Sequence, residues 1–359
     1  MSYLRDRHLT ARTLMAALAL VTAASAQEKQ QDPSTIRVET DLVSVEVAVT
    51  DRDGAPITAL LRAEDFVVHE DGARQKITNF AATDVPFNLV LVLDTSGSTR
   101  ADVDLMRRAA AGFLAELRPR DRVAVVGFNE QVQLYSRLTS DREAIERALG
   151  RIQPGSGTSF YDALHLTLRE VLRKVEGRKA IVTLTDGVDS TGAYTFDLLR
   201  LELEKAGTTC YFLELNTEAF TRDGMLLGCE DDRHFKFSRK QVQKYYGLSG
   251  KGFEWLRDFD HCRLTAEERK EINGRLYEAG RGELRELARQ TGGRVYPVED
   301  LGRLAPAYAQ IAAELRTQYS LGYYSTNDRR DGKWRELRVE VKRPGLVAHA
   351  KPGYRAPRD

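Results

Sequence analysis

The chain of 359 residues is 42% hydrophobic and 30% charged, and 54 basic side chains balance 53 acidic ones. A net charge of +1 gives no field that would collect a polyanion, so the composition argues against general nucleic-acid binding. The apolar fraction is typical of globular proteins, and the length predicts two domains. Three cysteines are too few for a disulfide scaffold, and no CxxC or HExxH motif occurs.

The N-terminal residues have the order of a secretory signal peptide. Basic residues come first, the apolar run 14–21 follows, and Ala24-Ser25-Ala26 supplies a cleavage motif of small residues. A membrane anchor is the alternative, but the run is about half as long as the ~20 residues that span a bilayer. We therefore expect residues 1–26 to be removed. The mature protein is then exported, periplasmic or secreted, in an oxidising compartment, with no transmembrane segment.

Alternating apolar and polar residues predict β-strands at both ends of the mature chain. Near the N-terminus, apolar side chains alternate from Val43 to Val49, and two short runs flank a hairpin turn at Asp71-Gly72. Near the C-terminus, strands are predicted around Leu321, Val339 and residues 346–350. Neither group can cover both faces of a sheet alone. We expect residues 27–85 and 318–359 to form one small β-sandwich into which the middle of the chain is inserted.

The middle of the chain, residues 86–317, has the pattern of an α/β domain. Nearly continuous apolar runs indicate strands that are buried on both faces of a parallel sheet, and they cover residues 87–93, 122–128, 180–185 and 209–215. Amphipathic stretches with helical spacing separate these runs. The predicted fold class is therefore α/β, with a doubly wound, mostly parallel sheet inserted in the sandwich.

Three polar segments come where predicted strands pass into helices or loops. The first strand ends in Asp94, with Ser96 and Ser98 two and four residues later. A glycine-flanked loop contains Thr158, and a later strand ends at Asp186. Ligands of open α/β sheets bind beyond the carboxyl ends of the strands, so these five side chains are expected to converge there.

Two carboxylates and three hydroxyls are hard oxygen donors, which suit Mg²⁺, with Mn²⁺ or Ca²⁺ as alternatives. Such a set leaves a coordination position open, and an acidic side chain of a partner protein is its natural occupant. The alternative interpretation is that these residues only form turns and helix caps. The strand before the first segment, and the order of the three segments, favour the metal site. The glycine at position 97 is expected to let the loop curl closely.

The segments DTSGS, GSGTS and TDGVDS resemble the metal-ion-dependent adhesion site (MIDAS) of von Willebrand factor type A domains, and the resemblance covers residues 86–316. It implies that Ser96, Ser98 and Thr158 contact the ion directly, and that Asp94 and Asp186 do so directly or through water. The supporting loop residues are then Gly97, Gly157, Asp162, Gly187 and Asp189. The flanking segments, with the stretch ARQTGGRVY and the junction LRTQYSLGYY, resemble an exported bacterial family described as VWFA-related and best known from acidobacteria.

One segment departs from the family's pattern. Between Leu215 and the helix around 282–290 lies an insertion, about residues 216–280, where a short loop would suffice. It is charged and rich in aromatic residues, namely Phe235, Phe237, Tyr245, Tyr246, Phe253, Trp255 and Phe259. Since it leaves the carboxyl end of a strand, it is either a cap that controls access to the ion or a decoration with its own small core.

The insertion also contains two of the three cysteines. Cys229 and Cys262 are expected to form a disulfide in an exported protein, with two free thiols as the alternative. A zinc site that includes His234 and His261 is a further alternative, although the spacing is unusual for zinc. Cys210 lies in a predicted buried strand and is expected to be inert.

The sequence offers little for catalysis. No histidine is near Ser96 or Ser98 in sequence, no GxSxG elbow or GxxxxGK[ST] loop is present, and Ser96 stands where an aspartyl-phosphate loop needs a second acid. We therefore expect an exported, metal-dependent protein-binding or adhesion module and no enzyme. A structural envelope protein with a purely stabilising metal is the alternative, and a metal-dependent hydrolase is a weaker one.

Overall fold

The computed structural model describes residues 42–57, 60–82, 85–231, 233–248, 256 and 259–358. All of them belong to one structural unit, which extends over residues 41–359. The predicted signal peptide lies outside the described residues, as do Phe253 and Trp255 of the insertion. In the part that is described, no helix is both long enough and apolar enough to cross a membrane.

Within the described residues, fourteen strands form three sheets, and the first four strands lie before the central domain: β1 (Leu42–Asp51), β2 (Phe66–Glu70), β3 (Ala73–Gln75) and β4 (Ile77–Ala82). The next six form the central sheet: β5 (Phe87–Asp94), β6 (Arg122–Phe128), β7 (Val132–Thr139), β8 (Arg178–Thr185), β9 (Thr209–Leu215) and β10 (Val295–Val298). The last four follow it: β11 (Tyr319–Tyr324), β12 (Trp334–Val341), β13 (Leu346–Ala350) and β14 (Gly353–Arg355).

Eight α-helices of the described part of the chain accompany these strands: α1 (Val103–Glu116), α2 (Arg142–Gly150), α3 (Phe160–Leu166), α4 (Phe196–Ala206), α5 (Glu218–Leu226), α6 (Arg239–Tyr245), α7 (Ala266–Thr291) and α8 (Leu304–Arg316). A π-helical turn, Thr167–Leu172, continues α3. Among the described residues, short 3₁₀ turns lie at Ala63–Asp65, His261–Arg263 and Leu301–Arg303, and a longer 3₁₀ segment, Gly97–Asp102, leads from the loop after β5 into α1.

The central sheet has the order β10-β9-β8-β5-β6-β7, and every pair is parallel except β6 with the edge strand β7. Side chains on a strand alternate between its two faces, and β5 shows the result. Leu89, Leu91 and Leu93 pack with α1, α2 and α8, whereas Val90 and Val92 pack with α3, α4 and α7. The predicted α/β fold class is confirmed.

The two ends of the chain meet in the flanking sheets, whose orders are β13-β1-β11-β4 and β14-β12-β2-β3. All of their pairs are antiparallel, and they enclose a shared core that includes Val45, Val68, Leu321 and Leu337. The hairpin at Asp71-Gly72 joins β2 to β3 alone, because after Lys76 the chain continues as β4 in the other sheet.

The insertion is shorter than its sequence suggests. Helix α7 runs without a break from Ala266 to Thr291, so its N-terminal half already belongs to the helix that packs on the sheet. We call residues 216–265 the insert. A small separate core joins the insert to α7, and it contains Val188, Met225, Phe237, Val242, Leu256, Ile272, Leu276 and Tyr277.

Candidate metal centre

The five expected ligands lie on loops at one edge of the central sheet. Strand β5 ends at Asp94, and the neighbouring strand β8 ends at Thr185, with Asp186 directly after it. The register pairs Leu93 with Leu184, which brings the two carboxyl ends side by side. From β5 the chain proceeds to β6 on one side and later to β8 on the other, so the site lies where the strand order reverses.

The loop after β5 is held by contacts among its own polar groups. The backbone N–H of Ser96 donates to Oδ1 of Asp94 at 3.0 Å, and the hydroxyls of Ser96 and Ser98 are 3.2 Å apart. The Thr99 hydroxyl donates to the backbone carbonyls of Asp94 and Ser96, which fixes the turn into the 3₁₀ segment. These contacts keep the carboxylate and both serine hydroxyls close together.

The expected role of Gly97 in this loop is wrong. Gly97 is not among the glycines with positive φ, and a Cβ added to it would meet nothing within 4 Å. Its neighbours turn because of the hydrogen bonds described above, so glycine is not sterically required there. Gly187 is different, since its φ is +77° and an added Cβ would lie 2.9 Å from Cγ of Leu284.

Three further hydroxyls contact the two carboxylates. Thr185 donates from Oγ1 to Oδ2 of Asp94 at 2.8 Å. Thr217 and Tyr277 both donate to Oδ2 of Asp186, at 2.5 and 3.3 Å. None of these three residues was expected at the site from the sequence. Thr185 and Thr217 follow the strand-end pattern that revealed Asp94, so that pattern could have found them, whereas Tyr277 has no sequence signal.

The Thr158 loop contacts both carboxylate loops through its backbone. Gly155 donates its N–H to the carbonyl of Thr95 at 2.8 Å, which ties the loop to the segment after β5. The backbone N–H of Thr158 lies 2.9 Å from the hydroxyl of Ser190 and 3.1 Å from that of Thr191, both beyond Asp186. In the described part of the chain, the Thr158 hydroxyl itself has no hydrogen-bond partner. It is therefore free to bind a ligand.

Asp162 and Asp189 act on the surrounding loop. Asp162 accepts the backbone N–H groups of Ala193 and Tyr194 at 2.6 and 3.1 Å. Asp189 accepts the N–H of Tyr161 at 3.2 Å and pairs with Nζ of Lys240 on α6 at 2.5 Å. Both carboxylates thus hold the loop that follows Asp186, and Asp189 also anchors the insert. Gly157, with φ of +67°, permits the tight turn before Thr158.

The electrostatics of the site call for a cation. Asp94 and Asp186 are 1% and 6% exposed, and neither forms an ion pair with a basic side chain of the described residues. Burial, together with repulsion from Asp186, raises the pKa of Asp94 to about 7. Burial also raises the pKa of Asp186. Two buried carboxylates of this kind are costly when both are charged, unless a cation neutralises them.

The donor set fits a hard divalent cation. The two carboxylates, the hydroxyls of Ser96 and Ser98, and the unpartnered hydroxyl of Thr158 supply oxygen only, which is the chemistry that Mg²⁺ prefers in proteins. No thiol or imidazole is among these donors, so the set suits zinc and copper less well than it suits Mg²⁺.

An open cavity lies next to this site. Its volume is about 450 Å³, and Ser98, Arg100, Thr217, Phe220 and Glu299 are among the residues that line it. Phe220 belongs to α5 of the insert and is 52% exposed. The insert therefore forms one wall of the approach to the site, and it also has a small core of its own.

The insert is cross-linked by a disulfide between Cys229 and Cys262. Cys210 is buried in β9 as a free thiol, and burial raises its pKa to about 12, so it stays protonated at neutral pH.

Comparison with known proteins identifies the central domain. A family model described as von Willebrand factor type A domain matches residues 89–188, a range that contains all five expected ligands. The inter-alpha-trypsin inhibitor heavy chain H4 of Sus scrofa is 29% identical over 119 residues, which are 30% of this chain and 13% of that protein. The chain thus matches only a small part of this relative.

Solved structures give weaker likenesses. One is a von Willebrand factor type A protein from Catenulispora acidiphila, with 14% identity, a TM-score of 0.42, and coverage of 88% of this chain and 73% of that one. Another is proximal thread matrix protein 1 of the mussel byssus with a zinc-occupied MIDAS motif. It has 16% identity and a TM-score of 0.43, and the match covers 68% of this chain and 50% of that one. On the family model, the chain contains a von Willebrand factor type A domain that includes residues 89–188.

Proposed function

We propose that this protein is an exported, metal-dependent protein-binding module that captures an acidic side chain of its partner. Asp94, Ser96, Ser98, Thr158 and Asp186 would hold Mg²⁺, either directly or through water. The bound ion would supply a positive charge with an exchangeable coordination position, to which a partner's carboxylate binds.

The observation that carries this proposal is the buried pair Asp94 and Asp186 at the reversal of strand order. The pair lacks a basic partner among the described residues, and it adjoins an open cavity. A purely structural ion would need no such access. Because the cavity wall includes Phe220, we infer that the residue next to the partner's carboxylate is apolar and packs against this ring.

The proposal includes no catalysis. None of the described histidines hydrogen-bonds to Ser96, Ser98 or Thr158; His165, for example, contacts Glu202, and His349 contacts Thr50. A serine nucleophile would need such a base within reach.

The test uses a displayed library of random peptides, selected on the purified protein in the presence of Mg²⁺. We expect the selected peptides to contain Asp or Glu, and to lose binding in EDTA or when that acid is replaced by its amide. Asp94→Ala is expected to abolish binding, whereas Asp53→Asn, in an exposed turn, leaves it unchanged. Selection of peptides that bind equally well in EDTA would contradict the proposal.

The same variants distinguish a binding site from a stabilising ion. If the metal only stiffens the loops, Mg²⁺ raises the melting temperature of the wild type, but no peptide binds in a chelator-sensitive way. A metal-dependent hydrolase would instead turn over a chromogenic ester or phosphoester in the presence of Mg²⁺.

A further inference from the structure

A second group of metal-binding atoms lies in the insert. The sulfur atoms of Cys229 and Cys262 and one ring nitrogen of His234 all lie within 4.8 Å of one another. Nε2 of His234 is 3.5 Å from Sγ of Cys229. The three residues are each half-buried, and they come from two stretches of chain that the disulfide joins.

The hydrogen bonds of His234 prepare its Nε2 to act as a ligand. Nδ1 lies 2.9 Å from the carbonyl oxygen of Leu227, which can only accept, so Nδ1 carries the proton. In the neutral ring Nε2 then has a free lone pair, which faces the sulfur of Cys229. Metal-ligating histidines commonly show this arrangement, in which a backbone carbonyl fixes the tautomer and the orientation of the ring.

His261 has a different state. Its Nδ1 accepts from the backbone N–H of Phe237 at 3.4 Å, and its ring centroid lies 4.8 Å from that of His234. Because this contact occupies Nδ1, His261 is not among the ligating atoms of the cluster.

We propose that the thiol form of this protein binds one zinc ion through Cys229, His234 and Cys262, so that the metal and the disulfide are alternative cross-links of the insert. Two thiolates and an imidazole are the ligands that zinc prefers, and water completes the coordination. This site is separate from the oxygen-lined site, and the inference does not depend on the function proposed for that site.

Reduction followed by zinc binding converts the disulfide form into the metal-bound form. A dithiol reductant transfers two electrons and two protons to the Cys229–Cys262 bond and is itself oxidised to a disulfide. Zinc then displaces one proton from each thiol, so that two protons are released for each ion bound. In reoxidation, a disulfide such as the oxidised reductant takes two electrons from the two zinc-bound thiolates and two protons from the solvent, which re-forms the Cys229–Cys262 bond and releases the zinc ion.

Either cross-link closes the same loop of the insert, because the disulfide and the zinc ion both join Cys229 to Cys262. These two cysteines are 33 positions apart in the sequence. Between them lie α6, whose Lys240 pairs with Asp189, and Phe237 of the small core. We therefore expect the thiol form without metal to have a looser insert than either cross-linked form.

The test compares the oxidised protein with the protein reduced by a dithiol and then freed of reductant under argon. Zn²⁺ is titrated into both forms in competition with a fluorescent chelator. We expect the reduced form to bind one more zinc ion than the oxidised form, which also serves as the control for zinc at the oxygen-lined site. With Co²⁺ in place of zinc, only the reduced form is expected to show sulfur-to-cobalt charge-transfer absorption.

Two variants identify the nitrogen ligand. His234→Gln is expected to weaken the zinc affinity of the reduced form by about 10- to 100-fold, while His165→Gln, a half-buried histidine paired with Glu202 on the sheet domain, leaves it unchanged. Equal zinc stoichiometry for the oxidised and reduced wild type would overturn the proposal, and so would a cobalt spectrum without sulfur bands. Protease cleavage of the insert that zinc does not slow in the reduced form would also overturn it.

Discussion

Replacing Asp94 by asparagine is expected to stabilise the metal-free protein at neutral pH, although the residue belongs to the proposed metal site. Asparagine keeps an oxygen acceptor for the N–H of Ser96 and a polar group beside the Thr185 hydroxyl, but it removes one of two buried negative charges. The charge has no basic partner among the described residues, so its removal relieves repulsion without leaving a cation unpaired.

The magnitude follows from the pKa of Asp94. This pKa is about 7 in the folded protein against 3.8 for an ordinary aspartate, so the folded state binds a proton more tightly than the unfolded state. The free energy of unfolding therefore falls as the pH rises from about 4 to about 7, and the loss is complete above that range. The difference in pKa corresponds to at most on the order of 4 kcal/mol, shared with the neighbouring Asp186.

The assay is urea unfolding in EDTA at pH 5 and pH 8, for the wild type, Asp94→Asn and Asp53→Asn. We expect the wild type and the exposed control to lose stability between these pH values and Asp94→Asn to lose clearly less. Excess Mg²⁺ is expected to restore the wild type at pH 8 and to have little effect on Asp94→Asn. Parallel pH dependence in all three proteins would refute the reasoning, because it would show that the buried carboxylates carry no such penalty.

Three other outcomes test the site. Mg²⁺ affinity, measured by calorimetry, is expected to fall by up to about tenfold per pH unit as the pH is lowered below about 7, because the ion must displace the proton of Asp94. A constant affinity between pH 6 and pH 8 would contradict this expectation. Thr185→Val leaves Oδ2 of Asp94 and the N–H of Gly187 without their hydrogen bonds to the Thr185 hydroxyl, and it is expected to cost about 1–3 kcal/mol in urea unfolding. A change below a few tenths of a kcal/mol would count against this expectation. Gly187→Ala is expected to lower the melting temperature, because the residue has a positive φ and the added Cβ would clash with Leu284. Gly97→Ala is the control and is expected to leave the melting temperature nearly unchanged. Equal effects of the two substitutions would disprove the steric argument.

The sequence alone was sufficient for the fold class and for the edge of the sheet where the polar residues gather. Strand β5 is buried on both faces, and the first half of β1 alternates between buried and more exposed side chains, so the composition of these segments indicates what surrounds them. The alternation of strands and helices along the sequence also predicts a parallel sheet, in which the carboxyl ends of the strands lie on one side. The expected class and the type A domain are both confirmed.

Other features depended on contacts that no local pattern records. Strand β7 is antiparallel to its neighbour at the edge of the central sheet, and the chain passes from one flanking sheet to the other at Lys76. Both features depend on the strands with which β7 and β4 pair, and the periodicity of a strand's own sequence does not specify its partner. Helix α7 begins at Ala266, within the stretch 216–280 that the sequence assigned to the insertion, because its first half packs against the insert and its second half against the sheet.

At the candidate metal centre, too, some features could be predicted from the sequence and others could not. Asp94 and Asp186 could be identified from their places at strand ends, but Thr217 and Tyr277, which contact Asp186, lie 31 and 91 residues further along the chain. The sequence determined which oxygen-bearing residues stand at the edge of the sheet, because burial and turn formation leave local signals. Only the tertiary structure decided that two carboxylates are buried side by side without a basic partner among the described residues, because strand order and packing bring distant residues together.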